Sequence, residues 1–176
     1  GRGKSGAEWR DKGGEGRTGK DRGAASSAAG GLRVSVHGLA YDMTVRAAKE
    51  AALGAGANIK MITAGELSEY DIEEIKKLVP NIILLAGGVD YGEKKTVIGN
   101  ARLLAASGLK IPVIFAGNCT AKPEVERILS DAGITVFAVE NVYPKIDNLN
   151  VEPTRAVIQD VFEKHITEAP GMKKIR

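Results

Sequence analysis

The chain has 176 residues, 43% of them hydrophobic and 27% charged, with a net charge of +3 and one cysteine, Cys119. Those values suit a single soluble domain with an apolar core and exclude an internal disulfide framework. No stretch reaches the roughly 18 apolar residues that a membrane-spanning helix needs, and the amino end lacks the apolar centre of a secretory signal, so no membrane partner and a cytoplasmic location are expected.

The basic balance is confined to one end. Residues 1–23 hold seven basic and four acidic side chains, and the other 153 residues carry eighteen of each sign. A neutral folded part lacks the electrostatic footprint of a nucleic-acid binder, and no nucleic-acid partner is expected. The same 23 residues are glycine and alternating charge with almost no apolar side chain except Trp9. Such a segment cannot offset its ordering entropy and is expected to be a disordered tail, with residues 24–176 as a single α/β domain. Lys4-Ser5 within GRGKSG lacks both the preceding strand and the earlier glycine of a phosphate-binding loop.

Beyond the tail, strand-like and helix-like patterns alternate. Leu32 to Val36 reads as a first strand, and Thr44 to Leu53 as a helix with Thr44 or Asp42 available as its cap. Asn58 to Thr63 is a second strand. Ser68 opens a helix whose Ile72, Ile75, Leu78 and Val79 share a face, and Pro80 ends it. Ile82 to Ala86 is a third strand, followed by a helix with Val97, Ile98, Ala101, Leu104 and Ala105 on one stripe and a stop at Gly108. Pro112 to Ala116 and Thr135 to Val139 are strands four and five. They enclose a helix over Lys122 to Ala132, with Val125, Ile128 and Leu129 inward. Arg155 to Ile166 is a last amphipathic helix, and Pro170-Gly171 ends regular structure. Five strands separated by helices of this length predict a three-layer α/β/α domain on a mainly parallel sheet, flavodoxin-like or Rossmann-like, with the flavodoxin-like order preferred.

Several strands end in small or polar residues: Gly65-Glu66, Gly87-Gly88-Val89-Asp90, Gly117-Asn118 and Glu140-Asn141. A parallel sheet places all these corners on one edge, where open α/β sheets bind ligands. Gly87 and Gly88 would leave backbone N–H groups open to an anion, with Asp90, Asn118 and Asn141 as orienting side chains. The same residues also serve simple turns and caps, and both readings stand at this point.

Other signals are weaker. Gly54-Ala55-Gly56 follows a helix and precedes a strand, the reverse of a dinucleotide fingerprint, and reads as a helix stop. His37 and His165 have no cysteine or carboxylate at metal-ligand spacing, so no metal site is expected. Cys119 has no legible histidine partner and reads as a passive thiol. His165, beside Phe162 and Ile166, reads as a helix-edge packing residue. No serine–histidine–aspartate arrangement or spaced carboxylate pair marks a catalytic centre, so no catalytic residue is assigned.

The segments ASSAAGGLRVSVHGL (25–39), AALGAGA (51–57), LLAGGVDYGEKKTVIGNARLLA (84–105), PVIFAGN (112–118), ENVYPKIDNLNVEPTRAVI (140–158) and APGM (169–172) resemble, in order, the glutamate mutase accessory protein family, often called MutL or GlmL. The resemblance runs from about Ala24 to the end. It implies a partner among adenosylcobalamin-dependent mutases of glutamate mutase or aminomutase type, served by an actin/Hsp70-like ATPase that acts as a reactivating chaperone and exchanges damaged cobalamin. The family's two phosphate loops have no counterpart in this sequence. The chain therefore looks like an interior fragment, with ATP and Mg²⁺ implied only for a full-length member and no tightly bound cofactor expected here. The fold also resembles the mutases' own cobalamin-binding domain, whose Asp-x-His-x-x-Gly loop ligates cobalt. Here Asp42 is followed by Met43 and Thr44. Cobalamin is thus expected to be met indirectly, by docking where the mutase's small subunit docks, with small-molecule binding (cobalamin or a nucleotide) as the alternative. Self-association through an exposed sheet edge stays open.

Overall fold

The computed structural model describes residues 31–167. The tail expected over 1–23, the stop at Pro170-Gly171 and the side chain of His165 lie outside the described residues. The described architecture belongs to the unit Leu32–Arg176.

Five strands form one sheet: β1 (Leu32–Gly38), β2 (Ala57–Ala64), β3 (Ile82–Leu85), β4 (Val113–Phe115) and β5 (Val136–Ala138). All pairings are parallel, and the order is β2-β1-β3-β4-β5, the flavodoxin-like order. The unbroken apolar run Ile82–Leu85 is buried throughout because β3 lies at the centre of the sheet with a layer on each face.

The helices are α1 (Arg46–Gly54), α2 (Glu69–Leu78), α3 (Lys95–Ala106), α4 (Lys122–Asp131) and α5 (Glu152–Thr167). On one face, Ile83, Leu85, Val113 and Phe115 pack with Ile72 and Ile75 of α2, Val97, Ala101 and Leu104 of α3, and Val125 and Leu129 of α4. On the other, α1 packs on β1, β2 and α5, through a side rich in buried alanines that lets the helix come close. Gly54 serves the same end. A Cβ there would stand 2.6 Å from Nε of Arg155, which lies across it.

Local chemistry sets the boundaries. Ser68 caps α2 in a reciprocal capping box: its hydroxyl accepts from Asp71 N at 3.1 Å, and Asp71 Oδ2 accepts from Ser68 N at 2.9 Å. The start of the first helix differs from expectation. A π-helical turn over Tyr41–Val45 precedes α1, Ala40 stands at its N-cap with no side-chain bond, and Thr44 is buried inside the turn, so neither Thr44 nor Asp42 caps it. Gly38 explains the compact reversal, since a Cβ there would lie 2.7 Å from Cγ2 of Val45.

Val79 also departs from the expected apolar stripe. It is the C-cap of α2 at φ +46°, with 56% of its surface exposed. Arg33 Nη1 donates to the carbonyls of Leu78 (3.0 Å) and Val79 (2.6 Å), taking up the helix's last acceptors, while Pro80 bars a further turn. A β-branched residue is strained in this left-handed conformation. Val79→Asn is therefore expected to raise stability by about 1 kcal/mol in urea unfolding, and a loss of stability would contradict the assignment of strain.

Candidate functional site

The carboxyl edge brings all five expected site residues together. After β3 the chain turns at Gly87 and Gly88, and a β-turn over Val89–Gly92 follows, closed by Gly92 N to Val89 O at 3.0 Å. Asp90 Oδ1 accepts from Cys119 N (2.8 Å) and from Asn141 Nδ2 (3.0 Å). Asn141 Nδ2 also donates to Gly88 O at 2.9 Å, and its Oδ1 accepts from Tyr143 N at 3.0 Å. Asn118, fully buried, is the hub. Its Oδ1 accepts from Tyr91 N (3.0 Å), Thr120 N (2.9 Å) and Thr120 Oγ1 (2.8 Å), and its Nδ2 donates to Gly92 O at 2.9 Å and to Glu93 O at 3.3 Å.

The glycines are close-packed against the chain itself. A Cβ on Gly88, at φ +78°, would stand 2.3 Å from the Glu93 carbonyl oxygen. On Gly87 it would stand 3.1 Å from Cβ of Val97 and 3.9 Å from Cβ of Leu39, and on Gly117 it would meet Gly87 N and O at 2.9 Å. In this strand order the ligand crevice of an open sheet falls between the loops after β1 and β3. Here Leu39 and Gly87 approach each other across that gap.

Sequence reasoning reads the stretch with Pro144 and Pro153 only as a connecting loop, and the structure shows that it completes the site. Asp90 N donates to Pro144 O at 3.0 Å, tying the β3 corner to residues 143–150. Within that loop Asn148 N donates to Lys145 O at 3.0 Å, closing a turn with Asp147 at φ +61°, and Asp147 N donates to the Tyr143 hydroxyl at 2.6 Å. Asn150 braces it through Nδ2 to Asn141 O at 3.1 Å. Each of the two linked turns holds one non-glycine residue in left-handed geometry and presents one large side chain to solvent: Tyr91 (φ +66°, 81% exposed) and Ile146 (73% exposed). Leu149 and, after β1, Tyr41 are also exposed. Only the two prolines of the 143–153 stretch hinted at an ordered loop. Nothing in the sequence marks Tyr91 as a left-handed, exposed residue.

Titratable groups are few at this edge. The Tyr91 phenol is held above its ordinary value, first by its side-chain hydrogen bond and electrostatic interaction with Cys119 and then by the neighbouring Asp90. Below the edge, His37 is fully buried within β1. Ser35 Oγ bonds its Nε2, and Thr63 Oγ1 bonds its Nδ1 at 2.8 Å. Burial lowers its pKa from 6.5 to about 4, against the opposing charge of Asp71. Ser35 and His37 thus form a hydroxyl–imidazole pair, but both are sealed inside the sheet where no substrate reaches them.

Direct cobalt ligation does not fit these residues. It requires a free imidazole nitrogen at the carboxyl edge, and both ring nitrogens of His37 are engaged by hydroxyls below it. Among the described residues no three of His, Cys, Asp and Glu are grouped to hold a metal ion, and no helix is long and apolar enough to cross a membrane. A shallow hollow of about 350 Å³ beside the π-helical turn is lined by Tyr41, Asp42, Met43, Val45, Arg46 and Lys49. It includes none of the five corner residues.

Comparison with known proteins adds the following. The sequence profile described as MutL protein matches residues 6–176, beginning inside the segment read as a tail. Protein MutL of Clostridium tetanomorphum is 48% identical over 149 residues, which is 85% of this chain and 32% of that protein. The chain thus spans about a third of the length of this curated relative. Among solved structures, the signal receiver domain of a modulated diguanylate cyclase from Desulfovibrio desulfuricans G20 aligns with a TM-score of 0.47 at 14% identity, covering 77% of this chain and 98% of that one. The receiver domain of the putative response regulator NarL from Mycobacterium tuberculosis aligns with a TM-score of 0.48 at 15% identity, covering 79% and 98%.

Proposed function

This chain belongs to the MutL protein family, and we propose that it is an α/β docking domain of an accessory protein that reactivates an adenosylcobalamin-dependent mutase of glutamate mutase or aminomutase type. The observation that carries the docking reading is the state of the carboxyl edge. Its corner glycines are filled by the chain's own atoms, and its polar side chains bond one another. Among the charged Glu93, Lys94, Lys145 and Asp147, the edge exposes three large apolar side chains, Tyr91 and Ile146 on two cross-linked turns, with Leu149. Exposed tyrosine and aliphatic side chains on a rigid support are what a protein partner buries, because little conformational freedom is lost on contact.

In this reading Gly87, Gly88, Asp90, Asn118 and Asn141 hold the surface in shape, and Tyr91 and Ile146 touch the partner. The small-molecule alternative would need the gap between Leu39 and Gly87 to open. ATP and Mg²⁺ are assigned to the longer family protein, and cobalamin to the mutase it serves. Gel filtration of the chain with a purified adenosylcobalamin-dependent glutamate mutase is expected to give a complex at tens of micromolar, and separate elution at those concentrations would overturn the proposal.

A further inference from the structure

The sheet contains a buried imidazole at the joint between β1 and its edge strand. Among the described residues β2 pairs with β1 alone, at one end of the strand order. His37 is the register partner of Thr63 on β2, and the Thr63 hydroxyl and the Ser35 hydroxyl take its two ring nitrogens. The joint is already irregular beside Ser35, where the β1–β2 register shifts between Val34 and Ser35. The inner side of β1 is firmer, since His37 faces Leu85 of fully buried β3 there.

The surroundings of the ring suit its neutral form only. From β1 and β2 it meets hydroxyls, its register partner on β3 is Leu85, and the one charge that acts on it is Asp71 of α2. That carboxylate is committed to the capping box through its bond from Ser68 N. Two hydroxyls can turn to accept from a doubly protonated ring, but they supply no charge, and the attraction of Asp71 is smaller than the cost of burying the cation. The least costly response is to expose the ring by releasing the strand with a single neighbour.

We propose that the β1–β2 joint is an acid-sensitive seam: protonation of His37 frees the edge strand β2 while β3 and β4 stay paired. The sign follows from linkage. The folded joint binds the proton less readily than the opened one, whose imidazole titrates near 6.5, so the stability that neutral His37 gives the closed seam is whole above that value and is progressively lost as pH falls from 6.5 toward 4. The opening equilibrium rises up to about tenfold per pH unit across that window.

Native-state amide hydrogen exchange on the intact chain between pH 7.5 and 5, corrected for intrinsic rates, tests the seam. The β2 amides are expected to be less protected than those of β3 and β4 at every pH, and to lose up to about tenfold in protection per unit below pH 6.5. In His37→Val that pH dependence should vanish. Thr63→Val, which keeps the imidazole but removes one hydroxyl, should lower β2 protection and keep the dependence. Equal protection of β2, β3 and β4 throughout would overturn the proposal, as would a pH-independent β2 or a dependence that survives in His37→Val.

Discussion

Gly88→Ala is expected to destabilise the domain by about 3 kcal/mol or more in urea unfolding. Two effects add. A Cβ at φ +78° incurs the left-handed penalty, roughly 1 kcal/mol for one residue. It would also stand 2.3 Å from the Glu93 carbonyl oxygen, a backbone atom that cannot swing away as a side-chain tip could. Gly108 separates the two, because at φ +85° it has nothing within 4 Å of its would-be Cβ. Gly108→Ala should therefore show the backbone penalty alone, about 1 kcal/mol. If Gly88→Ala costs no more than Gly108→Ala, the close-packed corner described above is wrong, and the glycine is free to approach a ligand.

Asn118→Ala should be of comparable severity, about 3–5 kcal/mol. One fully buried side chain accepts from the amides of Tyr91 and Thr120 and from the Thr120 hydroxyl, and donates to the carbonyl of Gly92. Removing it takes the partner from several part-buried groups at once, and groups that share a hub lose more than a single hydrogen bond's worth. Asn118→Asp keeps the accepting oxygen but turns another oxygen toward the carbonyls of Gly92 and Glu93, so it too should destabilise. Because Tyr91 N bonds to Asn118 Oδ1, either change should also loosen the turn that presents Tyr91. Chemical denaturation measures the first effect. An Asn118→Ala protein within 1 kcal/mol of wild type would show that the hub is dispensable.

Periodicity carries the elements, because each has a one-dimensional mark, but it does not fix their arrangement, and the flavodoxin-like order is only a first choice that the structure bears out. The Ile82–Leu85 run marks a strand buried on both faces, and the Ile72–Ile75 spacing marks the inner side of α2. The corner residues were legible as a group for the same reason, since parallel strands deliver their ends to one edge. What they do there was not legible. Whether Gly88 opens toward a ligand or toward Glu93 depends on a contact five residues further along, set by how the loop folds back. Val79 misled the pattern because Arg33, far away in sequence, takes the helix's last carbonyls and fixes its end. The part that the 143–150 loop plays in the site was not legible because its order rests on bonds to Asp90 and Asn141, which no local propensity encodes.

Calorimetric titration of the chain into a purified adenosylcobalamin-dependent glutamate mutase measures whether the Tyr91–Ile146 surface docks. Tyr91→Asn keeps a residue that tolerates left-handed backbone, and Ile146→Ser removes the second exposed side chain; neither residue supports the core. Wild type is expected to bind, the double variant to bind at least about tenfold more weakly with a melting temperature no lower than that of wild type, and Leu53→Ser, at the end of α1, to bind as wild type does. Wild-type affinity in the double variant, or no heat of binding from the wild-type chain, would contradict docking through this surface.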